Sequence, residues 1–312
     1  MCKCDRPGLL KWAKLVPLAR YRRIPTTSQL LALFDATQFP AITRLPLNNR
    51  DTTQTLSPYP PFLNYFSHTQ HNMPNHVVFD VVGTCVSFDA FYATIERTLG
   101  PQLKAHNITA QTLGFTWMTN AELQFTFLSI SESYKPYKIV ITELFYQTLA
   151  MIGISDPHSF ATPEQRDACV AGYAALELRP GARECFAKLR DAGFTVWCLT
   201  TGDTQRVRGY FERAGVDMPL ENFLSCDTAG VAKPALAAYR PAWERLGNEG
   251  GEKWFAAAHL WDVTAATKVG FRGAYCTVYE KEGAYKVFDA PLDVVSESLP
   301  EMAEKIIAAS KQ

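Results

Sequence analysis

The stretch His76-Val77-Val78-Phe79-Asp80-Val81-Val82-Gly83-Thr84 is the one from which the fold can be read. A short apolar run ends on a carboxylate and then turns on a glycine. This pattern predicts a buried strand that delivers Asp80 to its carboxyl end, where open α/β sheets hold their ligands. The plainer reading of the same residues is an Asp capping the turn that follows. The segment alone allows both.

With 312 residues, 47% of them hydrophobic and 20% charged, the chain can build one large domain or two modest ones. The formal net charge is zero, so no global field favours nucleic acid or an anionic membrane, and neither partner is expected. The charge is nevertheless uneven. Residues 1–75 hold nine Lys or Arg against three Asp, and the rest of the chain holds 22 basic and 28 acidic residues. Of the eight cysteines only Cys2 and Cys4 lie close together, while Cys85, Cys198 and Cys276 fall in or beside strand-like apolar runs. Free thiols in such places behave as small hydrophobes, which suits a reducing compartment and a cytoplasmic protein. The longest apolar candidate, around Ile139 to Ile154, is broken by Glu143 and Gln147 and is too short to cross a bilayer.

Residues 1–72 are rich in Pro, Thr, Asn and Gln and lack sustained periodicity, which predicts a basic, disordered extension. The Arg-rich, acid-poor run Leu9 to Arg23, interrupted by Pro17, also has the look of a mitochondrial presequence. Met73, directly before the first strand, is where a natural initiator would stand. No chemistry is assigned to this segment.

After Thr84 the apolar residues fall at helical spacing over Phe91 to Leu99, Glu122 to Tyr134, Lys138 to Met151 and Pro163 to Leu176. About 90 residues before the next strand are too many for a simple crossover, so an inserted helical cap over the strand ends is expected. From Pro180 helices and strands alternate. A helix over Pro180 to Asp191 is followed by a strand, Phe194 to Leu199, that ends in Thr200-Thr201-Gly202-Asp203, and a helix then runs to Arg213. Phe223 to Cys226 reads as a strand, and Lys233-Pro234 opens a helix to about Leu246. Trp254 to Leu260 reads as a strand ending at Trp261-Asp262, with a helix to Gly270 and a strand over Ala274 to Val278. The expected fold class is α/β, a Rossmann-like doubly wound parallel sheet core (residues 73–90 and 177–312) with a helical cap (residues 91–176) inserted after the first strand.

Four polar positions thus stand at or just past strand ends: Asp80, Thr200 or Thr201, Lys233 and Asp262. In this order and at these spacings they resemble the motif set of the haloacid dehalogenase-like hydrolase superfamily, from about residue 75 to the C-terminus. Within it the chain is most similar to the 2-haloacid dehalogenase branch. The likeness rests on the Asp-x-x-Gly-Thr form of the first motif, on Trp261-Asp262, and on Leu123-Gln124-Phe125-Thr126-Phe127, which looks like that branch's Leu-Glu-Tyr-Thr-Trp segment.

The resemblance implies that Asp80 is a nucleophile forming an ester that water then cleaves, dividing one hard step into two. It implies that Lys233 neutralises the developing charge, and that Thr84, Thr200 and Asp262 hold the site together. Val82 stands where phosphatases of the superfamily carry a second Asp, the acid that protonates a leaving alkoxide. Valine has no proton to give, whereas halide leaves without one. Val82 therefore argues for carbon–halide cleavage and against a phosphomonoesterase. No cofactor is required on this reading, although Asp80 and Asp262 leave Mg²⁺ open.

Departures from the branch are concentrated in the substrate pocket. Its carboxylate-gripping Arg, early in the cap, has no counterpart in Thr116-Trp117-Met118-Thr119, and no Lys or Arg occurs between Lys104 and Lys135. Val82, Thr201, Ala257 and His259 replace an aromatic residue, an Asn, a Ser and another Asn. Val82, Thr201, His259, Trp261 and Trp117 are the expected substrate-binding residues. The expected function is hydrolysis of a small organic substrate, such as a 2-haloacid, by a monomer or a homodimer. The alternatives are a diverged relative acting on a phosphate or diphosphate ester, and a non-catalytic relative.

Overall fold

Val77, Val78 and Phe79 have no solvent exposure, and the strand they form, β1 (Asn75–Phe79), lies inside a six-stranded sheet. The computed structural model describes residues 74–247, 251–289 and 291–311. The expectations for residues 1–72 and for Met73 lie outside these. The order across the sheet is β5 (Phe223–Ser225), β4 (Phe194–Thr200), β1, β6 (Lys253–Ala257), β7 (Arg272–Cys276) and β8 (Val294–Ser296). Every pairing is parallel.

Alternation along β1 divides the core. Val77 and Phe79 join one apolar cluster with Phe186, Phe211 and Ile306, while Val78 joins another with Tyr239, Phe255 and Val263. The first face is covered by α6 (Ala182–Asp191), α7 (Thr204–Arg213) and α10 (Leu299–Ala309), the second by α8 (Leu236–Arg245) and α9 (Leu260–Thr267). The doubly wound core expected from the sequence is thus present. Chain order reverses at β1, with β4 and β5 on one side and β6 to β8 on the other. Such a switch point opens a crevice beyond the strand ends. Phe79 lies level with Cys198 and with Ala256, so the residues that follow β1, β4 and β6 emerge side by side at that crevice.

Five helices separate the first strand from the rest of the sheet: α1 (Asp89–Ala105), α2 (Ala110–Ile130), α3 (Tyr137–Met151), α4 (Pro157–Phe160) and α5 (Pro163–Ala174). The chain enters this insertion through β2 (Val86–Ser87) and leaves it through β3 (Glu177–Leu178), which pair antiparallel. Several boundaries differ from expectation for local reasons. Helix α2 begins at Ala110, where Thr109 accepts a hydrogen bond from the Thr112 amide and caps it. It stops before Glu132, which adopts a positive φ of 56°. Helix α8 starts at Leu236, so Lys233 precedes the helix and extends from a turn. Strand β6 ends at Ala257, which places Asp262 in the first turn of α9. Among the described residues no helix is long and apolar enough to cross a membrane.

Candidate active site

Asp80 is the first residue beyond β1. The loop after it is tight: the amides of Cys85 and Val86 both donate to the Val81 carbonyl, at 2.8 and 3.0 Å. Gly83 makes the reversal with φ of +91°, and a Cβ there would lie 2.5 Å from Cε1 of His259. Only glycine combines that backbone with that contact. The loop brings Thr84 back beneath the carboxylate, where its hydroxyl donates to Asp80 Oδ2 at 2.7 Å and accepts from the Ala258 amide at 2.8 Å. One hydroxyl therefore joins the loop after β1 to the loop after β6.

Lys233 reaches the other oxygen. Its Nζ lies 3.0 Å from Asp80 Oδ1 and 2.9 Å from Asp262 Oδ2, and the Tyr239 hydroxyl donates to Asp262 Oδ1. Asp80, Lys233 and Asp262 are 8%, 3% and 0% exposed. Burial disfavours the ammonium, but Asp262 and Asp80 outweigh it and hold the Lys233 pKa above its ordinary value. Burial pushes Asp262 and Tyr239 up as well, with Lys233 pulling Asp262 back toward its ionised form. Thr200 is buried and accepts a hydrogen bond from the Gly202 amide at 3.0 Å, so its hydroxyl shapes the turn after β4.

A cavity of about 380 Å³ opens on Asp80. The sheet side supplies Val82, Thr201, Lys233, His259 and Trp261, and the insertion supplies Thr119, Glu122, Leu123, Phe125, Thr126, Tyr137 and Tyr173. His259 stands with Nδ1 3.9 Å from Asp80 Oδ2, between the rings of Trp261 and Tyr279. Three residues of the Leu123 to Phe127 segment, on which the family likeness partly rested, face this space.

Trp117 is the exception among the expected substrate-binding residues. It is fully buried inside the insertion between Phe91 and Phe145, with its indole N–H donated to the Ile141 carbonyl at 2.7 Å. It belongs to the packing of α1, α2 and α3, because the face of α2 that carries it turns toward neighbouring helices. Residues not anticipated from sequence line the cavity, among them Glu122, Tyr137, Tyr173 and Arg206, and Tyr239 stands outside it on Asp262. The neighbours of Glu122 in the cavity-lining segment were the only available pointer to it. Burial raises the Glu122 pKa, Asp80 adding to the effect and His259 opposing it, which favours a protonated carboxyl.

Asp80 and Asp262, the two residues left open for Mg²⁺, are both bonded to Lys233. The Lys233 ammonium occupies the bridge between the two carboxylates, and the second Asp262 oxygen is taken by Tyr239. Among the described residues, no group of three or more His, Cys, Asp or Glu side chains gathers as a metal site.

The model of the haloacid dehalogenase-like hydrolase family matches residues 74–270, and the chain belongs to that family of hydrolases. It is 31% identical to (S)-2-haloacid dehalogenase 4A of Burkholderia cepacia over 106 residues, 34% of this chain but only 46% of that enzyme. It is 24% identical to (S)-2-haloacid dehalogenase 1 of Pseudomonas sp. strain CBS-3 over 195 residues, 62% of this chain and 83% of that enzyme. The L-2-haloacid dehalogenase structure from Xanthobacter autotrophicus superimposes with a TM-score of 0.59 at 19% identity, covering 75% of this chain and 98% of that one, a likeness of fold.

Proposed function

We propose that this hydrolase acts through an ester of Asp80, on a small organic acid that carries a halogen beside its carboxylate, with helices α1 to α5 serving as a cap over the reacting centre. The setting of Asp80 carries the reading. One oxygen rests on Lys233 and the other on Thr84, both beside a cavity in which position 82 is aliphatic.

Each carboxylate oxygen keeps a free lone pair. An Asp80 oxygen attacks the halogen-bearing carbon, the carbon–halogen bond breaks, and halide departs with the bonding pair, so no proton donor is needed. Water then adds to the Asp80 carbonyl carbon, and negative charge grows on the unesterified oxygen, which faces Lys233 if Oδ2 was the attacking atom and Thr84 if Oδ1 was. The ester bond breaks, the alcohol oxygen takes one hydrogen of the water, and the Asp80 carboxyl ionises. His259, 3.9 Å from Oδ2, is placed to receive the released proton. A phosphate monoester would forgo the acid that typically contributes about 10²–10⁴-fold in rate, since Val82 cannot supply it.

A single turnover in ¹⁸O water tests the reading. Label is expected in the Asp80 carboxylate and not in the first product formed, and Asp80→Asn is expected to release no halide while keeping its fold. Label in the first product overturns the ester. One observation favours a second reading. Glu122, a carboxyl held toward its neutral form beside the same cavity, is a proton donor suited to an oxygen leaving group. Release of phosphate or alcohol from an ester panel, abolished in Glu122→Gln, would select it.

A further inference from the structure

Arg206 lies in the first turn of α7, and its guanidinium extends across Gly202, where any side chain would take its place. Nη1 donates to the Tyr210 hydroxyl at 2.6 Å, and the guanidinium carbon stands 5.5 Å from the centre of the Tyr173 ring. Among the described residues it forms no ion pair, and the groups acting on its charge are tyrosines. The Tyr137 hydroxyl, on the same cavity wall, is buried, and its polar neighbour is the phenol of Tyr173. Both residues also border a second cavity of about 400 Å³, where apolar Pro136, Ile141, Val170 and Ala174 are joined by the charged Lys138, Asp203 and Asp227. A guanidinium that forms no ion pair among the described residues and a buried phenol thus face the same space.

Such groups are costly to bury unless something pairs with them. The guanidinium retains N–H groups in a planar fork suited to a carboxylate. We propose that Arg206 is a specificity-determining residue that binds the substrate carboxylate, with the Tyr137 hydroxyl as second donor, and that the second cavity receives an apolar chain on the same acid. The site would then take carboxylic acids longer than two or three carbons. The proposal rests on the Asp80 ester reading for which carbon reacts, and stands apart from it for how the anion is held.

The test is calorimetric titration of the wild type, Arg206→Gln, Arg206→Lys, Tyr137→Phe and Asp80→Asn with hexanoate, acetate and hexanamide. The wild type is expected to bind hexanoate more tightly than acetate and about tenfold more tightly than hexanamide, Arg206→Gln to lose that preference and Arg206→Lys to keep part of it. Tyr137→Phe is expected to weaken hexanoate binding by a larger factor than it weakens hexanamide binding. A purely structural Arg206 would lower the melting temperature of Arg206→Gln but leave the preference for acid over amide intact, and that result overturns the proposal. So does a wild type that binds hexanoate no better than hexanamide or acetate. Undiminished turnover in Asp80→Asn, with hexanoate binding still dependent on Arg206, would sink the ester reading alone.

Discussion

The ammonium of Lys233 stands 2.9 Å from Oδ2 of Asp262, and neither side chain reaches solvent. Removing one partner of a buried ion pair leaves the other charge unpaired. Lys233→Met is expected to lower the unfolding free energy by about 3–5 kcal/mol in urea titrations and to abolish turnover. Adding Asp80→Asn to that variant removes one of the two stranded carboxylates. The double variant should therefore recover part of the loss, a coupling that a double-mutant cycle reads directly.

Tyr239 satisfies the oxygen of Asp262 that Lys233 does not. Tyr239→Phe leaves that oxygen buried without a donor, at a cost of about 1–3 kcal/mol in stability. Because Tyr239 is absent from the cavity wall and acts through Asp262 and Lys233, steady-state kinetics should show kcat falling with little change in KM.

Burial raises the Glu122 carboxyl, so the folded chain holds its proton to a higher pH than the unfolded chain does. The folded state then binds more protons between the two pKa values, and stability falls as pH rises through that interval. Glu122→Gln removes the titration. Its melting temperature should match the wild type near pH 4 and exceed it near pH 8, with the gap opening as the wild-type carboxyl ionises.

Gly83 combines a φ of +91° with a Cβ position 2.5 Å from His259. Gly83→Ala is expected to cost about 1–3 kcal/mol in backbone strain and to push the imidazole away from Asp80. If His259 accepts the proton of the hydrolytic step, ester should accumulate, visible as a burst of halide followed by a slow steady state.

Burial holds the thiols of Cys169 and Cys226 up at about 11 and about 12, and Cys85 and Cys198 are raised as well. Thiolate is the reactive form. All four should resist iodoacetamide at pH 8 in the native protein and react on unfolding, as intact-mass spectrometry would record.

The sheet was legible because each of its main strands is a short apolar run ending in polar residues. Asp80 and Asp262 converge because β1 and β6 end side by side, and Lys233 joins them from the turn before α8. The two-residue strands β2 and β3 were invisible, since alternation has no meaning over two residues, and Val294–Ser296 lies between segments without period. Trp117 was misplaced for a different reason. Apolar period marks a helix but does not say which positions turn toward a cavity and which toward other helices: Trp117 lies on the buried face of α2, whereas Glu122 and Leu123 line the cavity. Tyr239 and Arg206 escaped for want of a spacing rule: each meets the site through tertiary contact from a helix that otherwise reads as a cover for the sheet.

The ribbon of β2 and β3 has a consequence beyond geometry. Val86 lies opposite Leu178 and Ser87 opposite Glu177, so the chain departs and returns at neighbouring points of one ribbon. A change in the length of the segment between them is therefore absorbed at that ribbon and need not shift the register of the six parallel strands.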